Sequence, residues 1–134
     1  MIVVDTNVIG SLYLTSERSE QAETALRKDW HWAAPLLWRS ELRNVLVSYV
    51  RRNWLSLEDA QEIMDETIGL MHGREYEVAS LEVLRLAAGS QCTASDCEFV
   101  ALAQELGVPL ITVDKQVLSA FPQIAVSLEA FARG

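Results

Sequence analysis

Two short apolar runs in this chain each end in an aspartate, Ile2-Val3-Val4-Asp5 and Leu110-Ile111-Thr112-Val113-Asp114. Runs of this kind are too short for a helix and read as buried strands. Where such strands alternate with helices, as along this chain, they form an α/β sandwich with a mainly parallel sheet. Ligands in such sheets bind beyond the carboxyl ends of the strands. Both aspartates are expected to stand there.

The stretches between the two runs alternate in character. Thr6 to Leu14 and Ser19 to Lys28 read as helices, and Trp32 to Ala34 as a second strand. Pro35 suits a first helical position. The helix it would open runs from Leu36 to Arg52, with Trp38, Leu42, Val45, Leu46 and Tyr49 on one face. Ser56 with Asp59 resembles a capping box for a helix to about Leu70. Glu75 to Ala79 is expected as a strand, and Ser80 to Ala88 as a helix ended by Gly89. Ser95 with Glu98 reads as a second capping box, for a helix stopped by Gly107. After the strand of Pro109 to Val113 come a short helix to Ala120 and a last strand at Ile124 to Val126. No linker, repeat or low-complexity stretch interrupts the pattern. The expectation is one domain over residues 1–134, a three-layer α/β/α sandwich with a short, mainly parallel sheet.

Composition excludes several classes. Half of the 134 residues are hydrophobic, enough for a packed interior and too many for a disordered chain. No apolar run is long enough to span a bilayer. The start has no basic segment before its apolar residues and reaches Asp5 at once, unlike a secretory signal. The expected compartment is the cytoplasm. Cys92 and Cys97 lie far from any zinc-ligand spacing with His31 and His72, so they read as buried, inert thiols. The two histidines read as ordinary strand-edge or loop residues. Net charge is −8, whereas a sequence-independent nucleic-acid binder is usually basic. Acids gathered at a metal site would reconcile the two, because bound cations reverse the local sign.

Four acids are candidates, and each also has a plain structural explanation. Asp5 and Asp114 follow strands, where an aspartate commonly starts a turn or caps a helix. Asp96 opens a helix, where the dipole favours an acid. It also shares a face with Phe99, Val100 and Ala103, which turns it toward the sheet. Glu41 borders the apolar face of its helix, with Asn44 and Ser48 continuing a polar edge. Taken together the four point to one strand-end cleft. Carboxylates converging there would repel one another strongly. A divalent cation relieves that repulsion, and oxygen-only ligands suit Mg²⁺ or Mn²⁺ rather than zinc.

The chain also resembles a known family. Val3-Val4-Asp5-Thr6-Asn7, Ser40-Glu41-Leu42, the run Ser95-Asp96-Cys97-Glu98-Phe99-Val100-Ala101-Leu102-Ala103 and Leu110-Ile111-Thr112-Val113-Asp114 occur in the order and spacing of a PIN domain. The likeness is to the VapC-type toxin ribonucleases of toxin–antitoxin pairs, and it covers essentially the whole chain. It implies Asp5, Glu41, Asp96 and Asp114 as the acidic metal-binding and catalytic set. It implies Asn7 and Thr112 as polar neighbours of the site. It further implies Mg²⁺- or Mn²⁺-dependent hydrolysis of RNA phosphodiester bonds, a cognate antitoxin protein and a homodimer. Two positions depart from the family's habit. Ser95 stands where an aromatic residue often precedes the helix acid, and Cys97 where alanine often follows it. Neither removes a ligand.

Other readings fit less well. A phosphotransfer receiver needs an acidic pair after its first strand, but Thr6 and Asn7 follow Asp5. A haloacid dehalogenase needs a second aspartate in the same motif. A non-catalytic PIN-like module that only binds RNA or a protein remains the alternative from another class, and metal-dependent cleavage of RNA separates the two. Arg39, Arg43, Arg51, Arg52 and Lys115 are the cations nearest the acids in sequence; contact with phosphates is one reading of them, but they read first as solvated helix charges. Trp30, Trp32, Trp38 and Trp54 are expected to pack in the core, although aromatic residues are also enriched at interfaces.

Overall fold

A computed structural model describes all residues from Met1 to Gly134. The elements in chain order begin with β1 (Ile2–Val4), α1 (Thr6–Tyr13), α2 (Ser19–Lys28), β2 (Trp32–Pro35), α3 (Leu37–Arg51) and α4 (Leu57–Met71). They continue with β3 (Glu75–Tyr76), α5 (Ser80–Ala88), α6 (Ala94–Leu106) and β4 (Leu110–Thr112). The chain closes with α7 (Lys115–Ala120), β5 (Ala125–Ser127) and α8 (Leu128–Arg133).

The five strands form one sheet in the order β3-β2-β1-β4-β5, and every pairing is parallel. Val3 is the hub of the register, paired with Ala33 on one side and Leu110 on the other. Each residue of β1, β2 and β4 is buried, so helices cover both faces as expected for a parallel sheet. Right-handed crossovers place the helices that follow β1 and β2 on one face and those that follow β3 and β4 on the other. On the first face α1 packs with α2 and α3, α3 with α4, and α2 with the terminal α8. On the other, α6 lies across β1, β2 and β4, with α5 packed beside it. One continuous core joins the layers, with Trp32, Trp38, Ile9 and Leu42 among its largest fully buried side chains.

This strand order places a switch point between β1 and β4. From β1 the chain moves outward to β2 and β3, and then returns to add β4 and β5 on the opposite side. The helices leaving β1 and β4 diverge there and open a crevice at the strand ends.

Several local expectations need correction. Pro35 closes β2 instead of opening α3, where the preceding strand geometry already satisfies its fixed φ. The α6 cap is Thr93, not Ser95: the Thr93 hydroxyl accepts the Asp96 N–H at 3.1 Å and the helix starts at Ala94. Thr93 and Asp96 have the same spacing as Ser95 and Glu98, and the earlier hydroxyl takes the extended backbone a cap requires. The Ser56 cap stands as expected, its hydroxyl accepting the Asp59 N–H. Gly107 ends α6 in the left-handed region at φ 67°, with Val108 N–H bonded back to Ala103. The strand expected at Glu75 to Ala79 shrinks to two residues, and α8 follows β5 directly, capped by Ser127. Of the four tryptophans only Trp32 and Trp38 are in the core, while Trp30 and Trp54 are exposed. Both cysteines are buried and unpaired, and both histidines are exposed. No helix is long and apolar enough to cross a membrane.

Candidate active site

A cleft of about 270 Å³ opens at the switch point, and all four candidate acids line it. Thr6, Asn7, Asn44 and Thr112 add polar groups to its wall, and Val45, Phe99, Leu110 and Val117 supply the apolar part. The acids arrive from four separate elements. Asp5 follows β1 and Asp114 follows β4 by two residues, Glu41 lies on α3, and Asp96 lies in the first turn of α6.

Each carboxylate is held differently. Asp5 caps α1: its Oδ1 accepts the Val8 N–H at 3.0 Å. Its Oδ2 accepts the hydroxyl proton of Thr112. Thr112 is buried, and its oxygen in turn accepts the Asp114 N–H at 3.0 Å. One threonine therefore ties the two strand-end acids together. Asp114 caps α7, its Oδ1 accepting from the Gln116 and Val117 N–H groups, which leaves Oδ2 free of protein donors. Glu41 Oε1 accepts the buried Thr6 hydroxyl at 2.7 Å and its Oε2 has no protein partner. The Asp96 carboxylate accepts no hydrogen bond from the protein.

The electrostatics show what this arrangement costs. Burial raises the Asp5 carboxyl above its ordinary range, against the pull of Thr112 and Val8, and Asp114 adds to the rise. Burial also raises Glu41, against the Thr6 hydrogen bond, and the negative charges of Asp96 and Glu98 raise it further. Burial is the larger cost for both groups, and the neighbouring carboxylates add to it. No three Asp, Glu, His or Cys side chains are drawn together as a ready coordination cluster, although Asp114 Oδ2, Glu41 Oε2 and the Asp96 carboxylate are free of protein donors. The donor set itself is all oxygen. No histidine or cysteine lines the cleft, which matches a hard divalent cation such as Mg²⁺.

The family model for the PIN domain matches residues 2–125. The chain belongs to the PIN-domain family. Ribonuclease VapC3 of Pyrobaculum aerophilum is 31% identical over 126 residues, covering 92% of this chain and 96% of the relative. Among solved structures, PAE2754 from Pyrobaculum aerophilum superposes with a TM-score of 0.78 at 20% identity, covering 98% of this chain and 93% of that one. A toxin–antitoxin complex from Klebsiella pneumoniae superposes with a TM-score of 0.71 at 17% identity, covering 96% and 98% of the two chains. At such identities the superpositions bear on the fold alone.

Within this PIN domain the sequence reading missed Thr6 as a member of the cleft. Its signal was available, since a small hydroxyl residue directly follows Asp5 in the first motif. Glu98 was read only as a capping residue, yet its charge reaches Glu41 from the rim of an adjoining groove. Arg39 is withdrawn from any role at the cleft. It makes a two-pronged pair with Glu75, both contacts at 2.6 Å, and Trp38 Nε1 donates to the same carboxylate. The pairing holds Glu75 below its ordinary range. Arg43, Arg51, Arg52 and Lys115 are exposed and form no ion pair.

Proposed function

We propose that this chain is a metal-dependent endoribonuclease, that the cleft is its active site, and that it is the toxin of a toxin–antitoxin pair. The observation that carries the reading is the convergence of four carboxylates, from four elements distant in sequence, on one strand-end cleft. Asp5, Asp96 and Asp114 would hold Mg²⁺ or Mn²⁺, with Glu41 as a further ligand or as the group orienting the attacking water. When bound, the cation lowers the pKa of a water molecule and offsets charge on the phosphate.

The remaining chemistry belongs to the chain. Thr112 fixes the Asp5 carboxylate and, through the Asp114 N–H, sets the start of α7. Thr6 fixes Glu41 Oε1 and leaves Oε2 directed to the cleft as a proton acceptor. A carboxyl raised above its usual range is better matched to taking a proton near neutral pH than an ordinary glutamate. Asn7 and Asn44 line the cleft and offer amide donors to a phosphate.

Partners follow from the same reading. The substrate is RNA, a preference that rests on the relative named a ribonuclease and not on the hydrolytic chemistry, which makes no use of the 2′-hydroxyl. A protein antitoxin is proposed from the toxin–antitoxin complex of the same fold. A homodimer is supported by an exposed apolar surface where Leu84 of α5 and Leu36 line one groove with Val78 and Val83, with Leu81 exposed on the same helix.

The test is cleavage of single-stranded RNA by the purified chain. Cleavage is expected with Mg²⁺ or Mn²⁺ and lost with a chelator. Asp5→Asn and Asp96→Asn should each lower the rate by orders of magnitude while the fold survives. Cleavage that persists in metal-free buffer would refute the mechanism, and absence of cleavage under all conditions would leave a binding module.

A further inference from the structure

On α3 the residues that face the cleft are Glu41, Asn44 and Val45. Extending that line along the helix leads to Ser48 and then Arg52, which lies eleven residues beyond Glu41 and only about 20° around the helix from it. The axial distance is about 16 Å. At its far end the stripe meets an exposed aromatic cluster. The Arg52 guanidinium lies 4.8 Å from the Trp54 ring centroid, and Tyr49 meets the same indole edge-on at 5.4 Å. Trp54 is 62% exposed.

The turn that presents Trp54 is tightly specified. Asn53 is the one non-glycine residue with positive φ, at 60°. Its N–H bonds to Val50 and the Trp54 N–H bonds to Tyr49, each at 3.0 Å, the pattern of a Schellman cap. That cap accounts for the contact between Trp54 and Tyr49. It does not account for a tryptophan left mostly in solvent with an unpaired arginine against its ring. In a chain of net charge −8, Arg51 and Arg52 are cations without acidic partners on the helix that borders the cleft.

Two other exposed features lie away from the cleft. Trp30, stacked on His31 at 3.8 Å with Arg74 over its ring, precedes β2 and lies at the opposite end of the strands from the cleft. The apolar groove between α3 and α4, lined by Leu46, Val50 and Leu57, lies on the far side of α3 from Glu41. Neither continues the cleft.

We infer that the α3–α4 turn is a substrate subsite in which Trp54 stacks a base of single-stranded RNA while Arg51 and Arg52 contact its phosphates, a few nucleotides from the bond held at the cleft. The inference rests on the nuclease reading. Aromatic side chains bind single strands by stacking on any base, and arginine adds both a phosphate contact and cation–π support. The subsite therefore confers a preference for longer unpaired strands without choosing among sequences.

The test uses the full chain with a trinucleotide and a much longer oligouridylate. Cleavage is followed in Mg²⁺, and binding is followed separately in chelator by anisotropy of labelled RNA. Trp54→Ala should raise KM for the long strand about tenfold. It should leave kcat and trinucleotide cleavage unchanged, and Trp54→Phe should restore most of the loss. Replacing Arg51 and Arg52 together by alanine should flatten the slope of log affinity against log salt by about 1.4. Thermal melting checks that the variants fold. Equal KM for wild type and Trp54→Ala on the long strand overturns the subsite and leaves the nuclease reading intact. Unchanged RNA handling with loss of a co-produced protein partner also overturns it, assigning the turn to protein docking. If the wild type cleaves nothing, the nuclease reading fails, and the binding arm decides the RNA contact by itself: weaker binding by Trp54→Ala upholds base stacking at the turn, and equal or absent binding overturns it.

Discussion

Replacing Glu41 by glutamine should stabilise the metal-free protein. Glu41 sits in the field of Asp96 and Glu98, and burial and that field both disfavour its charge. Unit charges 5–8 Å apart repel by about 2–3 kcal/mol at an effective dielectric of ~20. Hydration of the open cleft, salt and partial proton uptake reduce the net cost to about 1 kcal/mol. Glutamine keeps the shape and still accepts the Thr6 hydroxyl through its amide oxygen, at a loss of a fraction of a kcal/mol. The expected result by calorimetry in chelator at neutral pH is a Tm about 3 °C above wild type for a chain of this length. Two controls follow from the same physics. At pH values below the carboxylate range both proteins are neutral at this position and the gap should close. With Mg²⁺ at about 100 times its Kd the wild type gains about 2.7 kcal/mol that the variant does not fully share, so the order should narrow or reverse. A Glu41→Gln protein that melts lower than wild type in chelator at neutral pH would refute the reasoning, because it would make the Glu41 charge a net stabiliser.

Metal-free stability should depend on pH in two opposed windows. Asp5 and Glu41 have raised carboxyls, so their contribution is full below the unfolded pKa and is lost as pH rises through the folded one. Asp29 and Glu75 are held low by the chain amino group and by Arg39, so their contribution is lost as pH falls through the depressed values. A Tm maximum in mildly acidic buffer is expected, with a decline toward neutrality that Mg²⁺ removes. A Tm that climbs steadily to neutral pH in chelator would contradict it. Thr112→Val removes the donor to Asp5 and the acceptor for Asp114 N–H, and should cost about 1–3 kcal/mol in urea unfolding. It should also move the acid limb of the pH–rate profile to higher pH, whereas an unmoved limb would reduce Thr112 to a purely structural role. Leu84→Asp, at a residue 61% exposed, should convert a dimer to a monomer in light scattering without lowering Tm, and an unchanged mass would remove this face from the dimer.

Much of the fold was legible from local pattern. The apolar runs ending at Asp5 and Asp114 are buried strands, and their alternation with helices along the chain makes the sheet parallel. Ser56 and Gly107 bound their helices as side-chain and backbone chemistry requires. Where two residues competed for one task, pattern alone chose badly. Ser95 and Thr93 both offer a hydroxyl three residues before an acid, and Pro35 suits a strand end as well as a helix start. The choice in each case was made by the backbone path arriving from the previous element.

The acids of the cleft divide in the same way. That Asp5 and Asp114 lie at strand ends is a property of the sequence, because each directly ends its own apolar run. That they are bridged by the buried Thr112, and that Glu41 faces Asp96 across the cleft, depended on the strand order β3-β2-β1-β4-β5. Burial of the carboxylates likewise arises only when α3 and α6 approach the switch point from opposite faces of the sheet. The two exposed tryptophans carry the same lesson. Trp54 has the side chain of a core residue, but the cap that ends α3 turns it outward, and hydrophobicity read along a chain does not report which way a turn faces.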